Sequence, residues 1–283
     1  MKTLKYLSLL FLVSSCSPKV IIKSLQTQNY QPVQDYEPFV AFTDLDTINL
    51  DKEQVIADIQ IKDAGLTINC DFETILDLAK ERSKALGANA LQVYEHRLPD
   101  AWSSCHRIRC RALRMRTVKP YEKEISWNKK RKLAINDFKG SRFNRPFAAA
   151  TVSGMNYKAW GRPIRGYATL SVNTVFDCTI SYIKNNPDSL KVLAHEQLHF
   201  DITELFARKF VKRIQNEVRS FRELQISGER VFKEVQQEWR LLQDAYDTEV
   251  YADRSQQPKW IGTIAEELQK MSQYENRQAK IKW

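Results

Sequence analysis

Five consecutive residues of this chain have the types and the spacing of a catalytic metal site. His195-Glu196-Gln197-Leu198-His199 spell H-E-x-x-H, and the surrounding apolar residues recur with the period of a helix. Positions i and i+4 of a helix lie on one face, so both imidazoles can bind one Zn²⁺. The glutamate between them can take a proton from a water on the metal and pass it to a leaving amine, which is the chemistry of a zinc peptidase.

A catalytic zinc needs a third protein ligand, and the acidic residues near position 250 are the candidates for it. Glu249 and Asp253 continue an apolar stripe that runs along a second predicted helix at three- and four-residue spacing. We therefore expect both carboxylates to be buried, and a metal would offset the cost of burying a charge. Glu249 is the expected third ligand and Asp247 the rival, while a solvated helix end is the alternative for these acids.

Three further features are expected around the metal. Tyr246 either donates a hydrogen bond to a developing oxyanion or packs in the core. Asp201 either orients a ligand histidine or is exposed, and Asp253 is expected near the ligands as a supporting group. The alternating, β-rich segment 167–176 is the candidate edge strand for pairing with an extended peptide substrate.

The elements that carry these residues have clear sequence signals. Asn186-Pro187-Asp188-Ser189 supplies polar residues, a proline and an acid at the predicted start of the metal helix. We expect that helix to run to about Val218, with an apolar stripe that begins at Leu190. A second long helix is predicted from Gly228 to about Asp253.

The first sixteen residues indicate export and lipidation. A short basic stretch, Met1–Lys5, precedes an apolar run that is too short to span a bilayer. Val13-Ser14-Ser15-Cys16 then resembles a bacterial lipobox, so residues 1–16 are the expected signal and Cys16 the acylated residue that anchors the chain to the membrane. Ser17, in place of an aspartate, favours the outer membrane. The alternative is an ordinary secretory signal with an incidental cysteine.

Composition fits a folded, exported protein with no nucleic-acid partner. Of 283 residues, 43% are hydrophobic, and the formal charge of +10 falls to about +8 without Lys2 and Lys5. An exported protein meets anionic envelope surfaces instead of nucleic acid. The basic stretches 107–116 and 129–132 are expected to be solvated faces. No segment after the signal is long and apolar enough to cross a membrane.

Four cysteines remain after Cys16, and an oxidising compartment favours their pairing. Cys70, Cys105 and Cys110 are close in sequence and Cys178 is distant, so at least one local disulfide is expected within residues 70–110. Four cysteines allow three pairings, which stay open.

The chain divides into an anchor, a small domain and a larger one, with an α+β fold overall. Residues 17–48 are polar, contain three prolines and are expected to form a tether. Residues 49–120 are predicted to form a β-α-β-β domain, with a helix over 71–86 that ends at Gly87. Residues 124–283 are the expected catalytic domain, a small sheet with long helices, one of which carries H-E-x-x-H.

The larger domain resembles the DUF922 family, which consists of bacterial proteins predicted to be secreted zinc-dependent proteases. The matching residues are Trp127, Leu133, Asp137-Phe138-Lys139-Gly140, the run from His195 to Leu205, Tyr246-Asp247 and Trp260. The resemblance covers roughly residues 124 to 270 and implies a zincin-like metalloprotease fold and a zinc cofactor. It brings no known substrate.

The resemblance also bears on the third ligand. Asp247 belongs to the family's Y-D-x-x-T-x-H-G pattern, from which this chain departs, because Val250 replaces the threonine and Ala252-Asp253 replace His-Gly. Glu249-x-x-x-Asp253 is similar to the E-x-x-x-D of gluzincin-type peptidases. The small domain resembles modules of other envelope lipoproteins in its turn at residues 86–90, which implies a docking role and an envelope protein partner.

Three functions remain open at this point. The expected one is a lipid-anchored zinc endopeptidase of the bacterial envelope that acts on a peptide or protein. The alternatives are a zinc amidase acting on peptidoglycan and a non-catalytic envelope-binding lipoprotein whose metal site is structural or lost.

Overall fold

The chain folds into two compact units, which divide between Pro120 and Tyr121. The computed structural model describes residues 18–25, 28–43, 53–65, 70–162, 166–184 and 188–283. The expected signal and Cys16 lie outside the described residues. Both units are mixed α+β, in agreement with the expected fold class. None of the described helices combines the length and the hydropathy that a membrane span requires.

The first unit is a five-stranded sheet with one helix. Its elements are β1 Lys19–Ser24, β2 Val40–Phe42, β3 Gln54–Lys62, α1 Phe72–Ala85, β4 Ala90–Arg97 and β5 Arg107–Arg114. The strand order is β1-β3-β5-β4-β2, and only β2 runs parallel to its neighbour. The expected tether over 17–48 is therefore wrong for β1 and β2, whose backbones pair with β3 and β4. Apolar alternation in these short strands was too weak to reveal them.

Both termini of helix α1 lie where the sequence predicts them. The Asp71 carboxylate accepts a hydrogen bond from Thr74 N at the first turn. At the last turn Gly87 has φ +82°, and its N–H and that of Ala88 bond to carbonyls of the final turn. The Cys70–Cys105 disulfide confirms the local bridge expected within residues 70–110.

The second unit combines a β-sheet with long helices. Its elements are β6 Glu124–Ser126, β7 Ala149–Ala150, β8 Ser153–Arg162, β9 Tyr167–Asp177, β10 Tyr182–Ile183, α2 Ser189–Glu217, α3 Phe221–Ala252, α4 Gln257–Lys270 and β11 Gln278–Lys282. Strand β9 pairs with β8 on one side and with β11 and β6 on the other. The expectation that 167–176 is an edge strand is therefore wrong, because the strand is central.

The main core of this unit lies between the sheet and helices α2, α3 and α4. Helix α2 begins and ends close to the predicted residues, although Leu190 at its start is 77% exposed instead of buried. Helix α3 begins at Phe221, seven residues before the predicted Gly228. The Ser220 hydroxyl accepts a hydrogen bond from Glu223 N and fixes that earlier start.

Two clusters of buried charge hold loop segments of this unit in place. Arg131 donates both of its terminal nitrogens to Asp137, which is 2% exposed, and one of them also reaches Glu122. Glu204 is fully buried on α2 and accepts hydrogen bonds from Arg208 and Arg277. The expected solvated face over 129–132 is thus wrong for Arg131, whose guanidinium compensates two buried carboxylates.

Replacing Arg131 should show how much the loop depends on its ion pairs. Arg131→Met leaves Asp137 and Glu122 buried without their cation, so the free energy of unfolding should fall by about 3–5 kcal/mol at neutral pH. Chemical denaturation measures that loss. The loss should shrink as the pH falls, because burial raises the pKa of Glu122 and its protonation removes one of the buried charges. Arg222→Met, at an exposed site on α3, is the matched control, and an equal effect of the two substitutions would contradict this reading.

Candidate functional site

Helix α2 places the three motif residues at one point of the second unit. His195 and Glu196 are buried, and His199 is half-buried one turn further along the same face. The Nε2 atoms of His195 and His199 lie 3.1 Å apart, and their rings meet edge to face. The expectation that positions i and i+4 lie on one face of the helix is confirmed.

Asp247 on α3 brings a carboxylate to the two histidines. Its Oδ1 atom lies 3.0 Å from Nε2 of His195 and 3.0 Å from Nε2 of His199. These residues form the group in the described chain whose ligand atoms lie close enough together to hold a metal ion. The structure therefore brings together His195, His199 and Asp247, the rival candidate, as the possible ligands.

The protonation of this group follows from burial and close opposite charge. Burial opposes ionisation of Asp247, but hydrogen bonds from the two histidines outweigh it and hold the pKa of the carboxyl below its usual range. Burial likewise lowers the pKa of His199, and the hydrogen bond to Asp247 with the charge of Glu196 more than reverses this, so that pKa is raised. A dication in the same place would satisfy Asp247 in the way the imidazolium charge does.

Gln243, which the sequence analysis did not single out, fixes the orientation of His199. Its Oε1 lies 2.5 Å from Nδ1 of His199, and its Nε2 donates to the His199 carbonyl at 3.0 Å. A proton on Nδ1 leaves Nε2 unprotonated and available to a metal. The available signal was the four-residue spacing of Trp239, Gln243 and Asp247, which puts a polar stripe on one face of α3.

Glu196 has the environment of a general base. Its side chain is 4% exposed, and its Oε2 atom has no hydrogen-bond partner among the described residues. Burial raises the pKa of this carboxyl, while the charges of the two histidines lower it. A buried carboxylate oxygen without a partner is costly, so the site is built for a further group that would bond to it.

Tyr246 packs in the core instead of facing a substrate. Its ring is fully buried, stacks on His195 with centroids 4.6 Å apart, and its hydroxyl lies 3.4 Å from the His195 carbonyl. Of the two roles expected for Tyr246, the packing role is the one the structure supports. Tyr251, five residues later, is 63% exposed, and its ring centroid lies 5.6 Å from that of His195. The sequence analysis did not single out this residue.

Two of the expected site residues, Glu249 and Asp253, lie away from the histidines. Glu249 is exposed and accepts a hydrogen bond from Trp260 Nε1, so the preference for it as the third ligand is wrong. Asp253 is exposed and caps the turn at Ser255. The α3 stripe ends at Val250, because the helix reaches the surface there, and this explains why neither carboxylate is buried.

Asp201 is also not a partner of the histidines. Its Oδ1 accepts hydrogen bonds from Trp127 Nε1 at 2.7 Å and from Gln197 Nε2 at 2.9 Å, and its Oδ2 lies 3.3 Å from Lys132. The expectation that Asp201 orients a ligand histidine is wrong, because the residue points to the loop after β6. It fastens that loop to α2 beside the metal-binding turn.

Comparison with protein-family models, with curated proteins and with solved structures finds no match for this chain. The resemblance to the DUF922 family therefore stays a prediction. What the site can do is inferred from its geometry alone.

Substitution of the two rival carboxylates tests the ligand set. Asp247→Ala should weaken binding of a divalent ion by more than about 100-fold, since even groups that only support a ligand contribute 10- to 100-fold. Glu249→Ala, at an exposed carboxylate two residues away, should bind the ion like the parent. Competition titration with a chelating dye measures both affinities. Loss of binding in Glu249→Ala with retention in Asp247→Ala would contradict the observed grouping.

Proposed function

We propose that this chain is a zinc-dependent metallopeptidase with a zincin-like catalytic unit, anchored by lipid to the bacterial cell envelope. The observation that carries the proposal is the convergence of three ligand atoms beside a buried carboxylate, one oxygen of which has no hydrogen-bond partner among the described residues. His195, His199 and Asp247 supply the ligand atoms, and Glu196 supplies the carboxylate.

The residues present fit zinc. Two imidazole nitrogens and one carboxylate oxygen are a donor set that Zn²⁺ uses in catalytic sites, where the fourth position is left for water or substrate. Tetrahedral coordination at roughly 2.0–2.1 Å places ligand atoms about 3.3 Å apart. The separations of 3.0 to 3.1 Å here are a few tenths of an ångström shorter.

The role of each residue follows from its position. His195, His199 and Asp247 would hold the zinc, and Gln243 keeps the Nε2 atom of His199 free to bind it. When bound, zinc lowers the pKa of a water and polarises a peptide carbonyl. Glu196 takes the proton of the attacking water and delivers it to the leaving amine nitrogen. Its burial favours this role, because a raised pKa makes the carboxylate a stronger base.

Tyr251 takes the role that the sequence suggested for Tyr246. Its phenol is exposed next to His195, where a substrate carbonyl would lie, whereas the hydroxyl of Tyr246 is turned to a backbone carbonyl. Burial and the nearby charges of Asp247 and Glu196 raise the pKa of Tyr251. The phenol therefore stays protonated at neutral pH and can donate a hydrogen bond to a developing oxyanion.

The remaining parts of the proposal come from the sequence. The lipobox at residues 13–16 and the apolar run before it support export, acylation of Cys16 and an envelope location, with the outer membrane favoured by Ser17. A peptide or protein substrate is supported by the H-E-x-x-H type of the site. Catalysis is favoured over a purely structural metal because Glu196 lies outside the group of possible ligands and its buried Oε2 atom has no hydrogen-bond partner among the described residues.

Removal of the base tests catalysis separately from metal binding. Glu196→Gln should bind one zinc per chain like the parent, since its carboxylate is not a ligand, and should lose about 10²- to 10⁴-fold in kcat/KM. Zinc content and hydrolysis of a peptide library measure the two effects. Glu266→Gln, at an exposed carboxylate on α4, is the matched control and should stay active.

The outcomes separate the three functions. Hydrolysis of peptidoglycan fragments but not of the peptide library would favour the amidase. A parent that binds zinc and hydrolyses neither would support a binding lipoprotein, and a folded parent that takes up no zinc would contradict the proposal as a whole.

The two tyrosines should give opposite results. Tyr251→Phe removes only an exposed hydroxyl, so it should leave stability unchanged and lower kcat by about 10- to 100-fold, since a single oxyanion donor can supply more than that. Tyr246→Phe should leave kcat close to the parent value. Steady-state kinetics with thermal unfolding of each variant measure this, and a larger kcat loss in Tyr246→Phe would contradict the assignment.

A further inference from the structure

Four cations lie in a row across one end of the small unit's sheet. Lys19 on β1 lies directly opposite Lys62 on β3, and Arg97 on β4 lies directly opposite Arg107 on β5. The register of β3 with β5 makes Lys62 and Arg107 neighbours. Because adjacent strands lie about 4.8 Å apart, the row is about 14 Å long. We call these four residues the cationic row.

The cationic row destabilises the first unit when no partner is bound. Like charges directly opposite each other in an antiparallel pair are destabilising. Two carboxylates relieve part of this, since Arg97 pairs with Glu95 and Arg107 pairs with Asp100. Lys19 and Lys62 have no carboxylate partner among the residues that the structure describes. A net positive charge is thus held at the surface, where an anionic partner would stabilise it.

A groove runs beside the row. It has a volume of about 450 Å³ and is open to solvent, and its charged lining residues are Lys62, Arg97, Arg107 and Arg109 together with Asp63 and Glu95. That volume lies within the range of small-molecule sites, and guanidinium groups bind phosphate oxygens in a bidentate fashion. Four cations against two carboxylates leave the lining with a net positive charge, which suits an anion such as a phosphate ester.

Exposed apolar side chains stand at the same end of the sheet. The loop that joins β4 to β5 presents Trp102, which is 95% exposed, and Leu98, which is 64% exposed. The Asp100 carboxylate accepts hydrogen bonds from the N–H groups of Trp102 and Ser103, and Arg107 donates to the Leu98 carbonyl. The loop therefore presents the tryptophan ring to solvent.

These two features together distinguish a lipid bilayer from a dissolved polyanion. Phosphate groups of either would satisfy the cations, but only a bilayer interface also takes up exposed tryptophan and leucine side chains. The position of the expected anchor agrees, because only two residues separate Cys16 from Lys19, so the two Cα atoms are at most about 11 Å apart. That limit is comparable to the Debye length of about 8 Å at physiological ionic strength, so acylation of Cys16 would hold Lys19, one end of the row, within reach of headgroup charge.

We propose that the cationic row and the Leu98–Trp102 loop dock the small unit onto an anionic phospholipid surface. This goes beyond the proposed peptidase function. Docking itself does not require acylation of Cys16, which would only hold this face close to the membrane. The docked face would give the lipid-anchored chain a second, electrostatic attachment that orients the small unit on the membrane.

Binding of the non-acylated chain that begins at residue 17 to vesicles tests the proposal. It should sediment with vesicles of phosphatidylcholine mixed with phosphatidylglycerol, weakly with phosphatidylcholine alone, and less as salt rises. Lys19→Gln, Lys62→Gln and Arg97→Gln combined should weaken binding by at least about tenfold, since each cation near an anionic leaflet contributes several-fold. Tryptophan emission should shift to the blue on binding, and Trp102→Phe should abolish that shift.

A control with the same loss of charge separates the surface from net charge. Lys212→Gln, Lys259→Gln and Lys282→Gln combined change exposed lysines of the other unit and should bind like the parent. Equal loss in both triple variants, or equal binding to the two kinds of vesicle, would overturn the proposal. So would release from the vesicles by inorganic polyphosphate together with an unshifted Trp102 emission, which would indicate a soluble polyanion as the partner.

Discussion

The site depends on one contact between two helices, in which side chains of α3 bind the backbone and the ring of His199 on α2. Gln243 holds both the carbonyl and Nδ1 of that histidine. Asp247, one turn further along α3, then lies opposite both Nε2 atoms. A small shift of one helix along the other would separate the carboxylate from the imidazoles. The polar stripe on α3 therefore sets the register that makes a metal site available.

Buried polar groups around this contact hold the helices and the loops in place. Trp239 donates to the Thr203 hydroxyl, which itself donates to the His199 carbonyl. Asp201 fastens the loop after β6, and Glu204 accepts from Arg208 and Arg277 on the far side of α2. Each of these acceptors receives a hydrogen bond, as buried polar atoms in native proteins usually do. The Oε2 atom of Glu196 departs from this pattern and, unlike the unpartnered atoms of Thr174 and Arg277, it belongs to a carboxyl beside the two histidines.

Both proposed sites contain groups without partners among the described residues. In the second unit the buried Oε2 atom of Glu196 has no hydrogen-bond partner, and in the first unit Lys19 and Lys62 pair with no carboxylate while Trp102 is 95% exposed. Each arrangement lowers the stability of the isolated chain and would be relieved by a ligand of complementary chemistry. A water or substrate at Glu196 and an anionic interface at the cationic row are the ligands that fit.

The sequence by itself determined the parts that depend on local spacing. H-E-x-x-H placed two imidazoles and a glutamate together, because helical period alone stacks positions i and i+4. Apolar periodicity predicted α1 and α2, and cysteine proximity predicted a local disulfide. The early start of α3 was also readable, since Ser220 and Glu223 form the pattern of a helix N-terminus, although it was overlooked.

Only the tertiary structure decided which carboxylate joins the histidines. Glu249 and Asp247 are two residues apart on one helix, so they point to different sides of it, and the choice depends on how α3 packs against α2. Likewise β9 became a central strand because distant segments, β6 and β11, pair with it. The cationic row assembles from four strands that are separated in sequence. Pairing over such distances leaves no local pattern, and this is why sequence alone could not predict it.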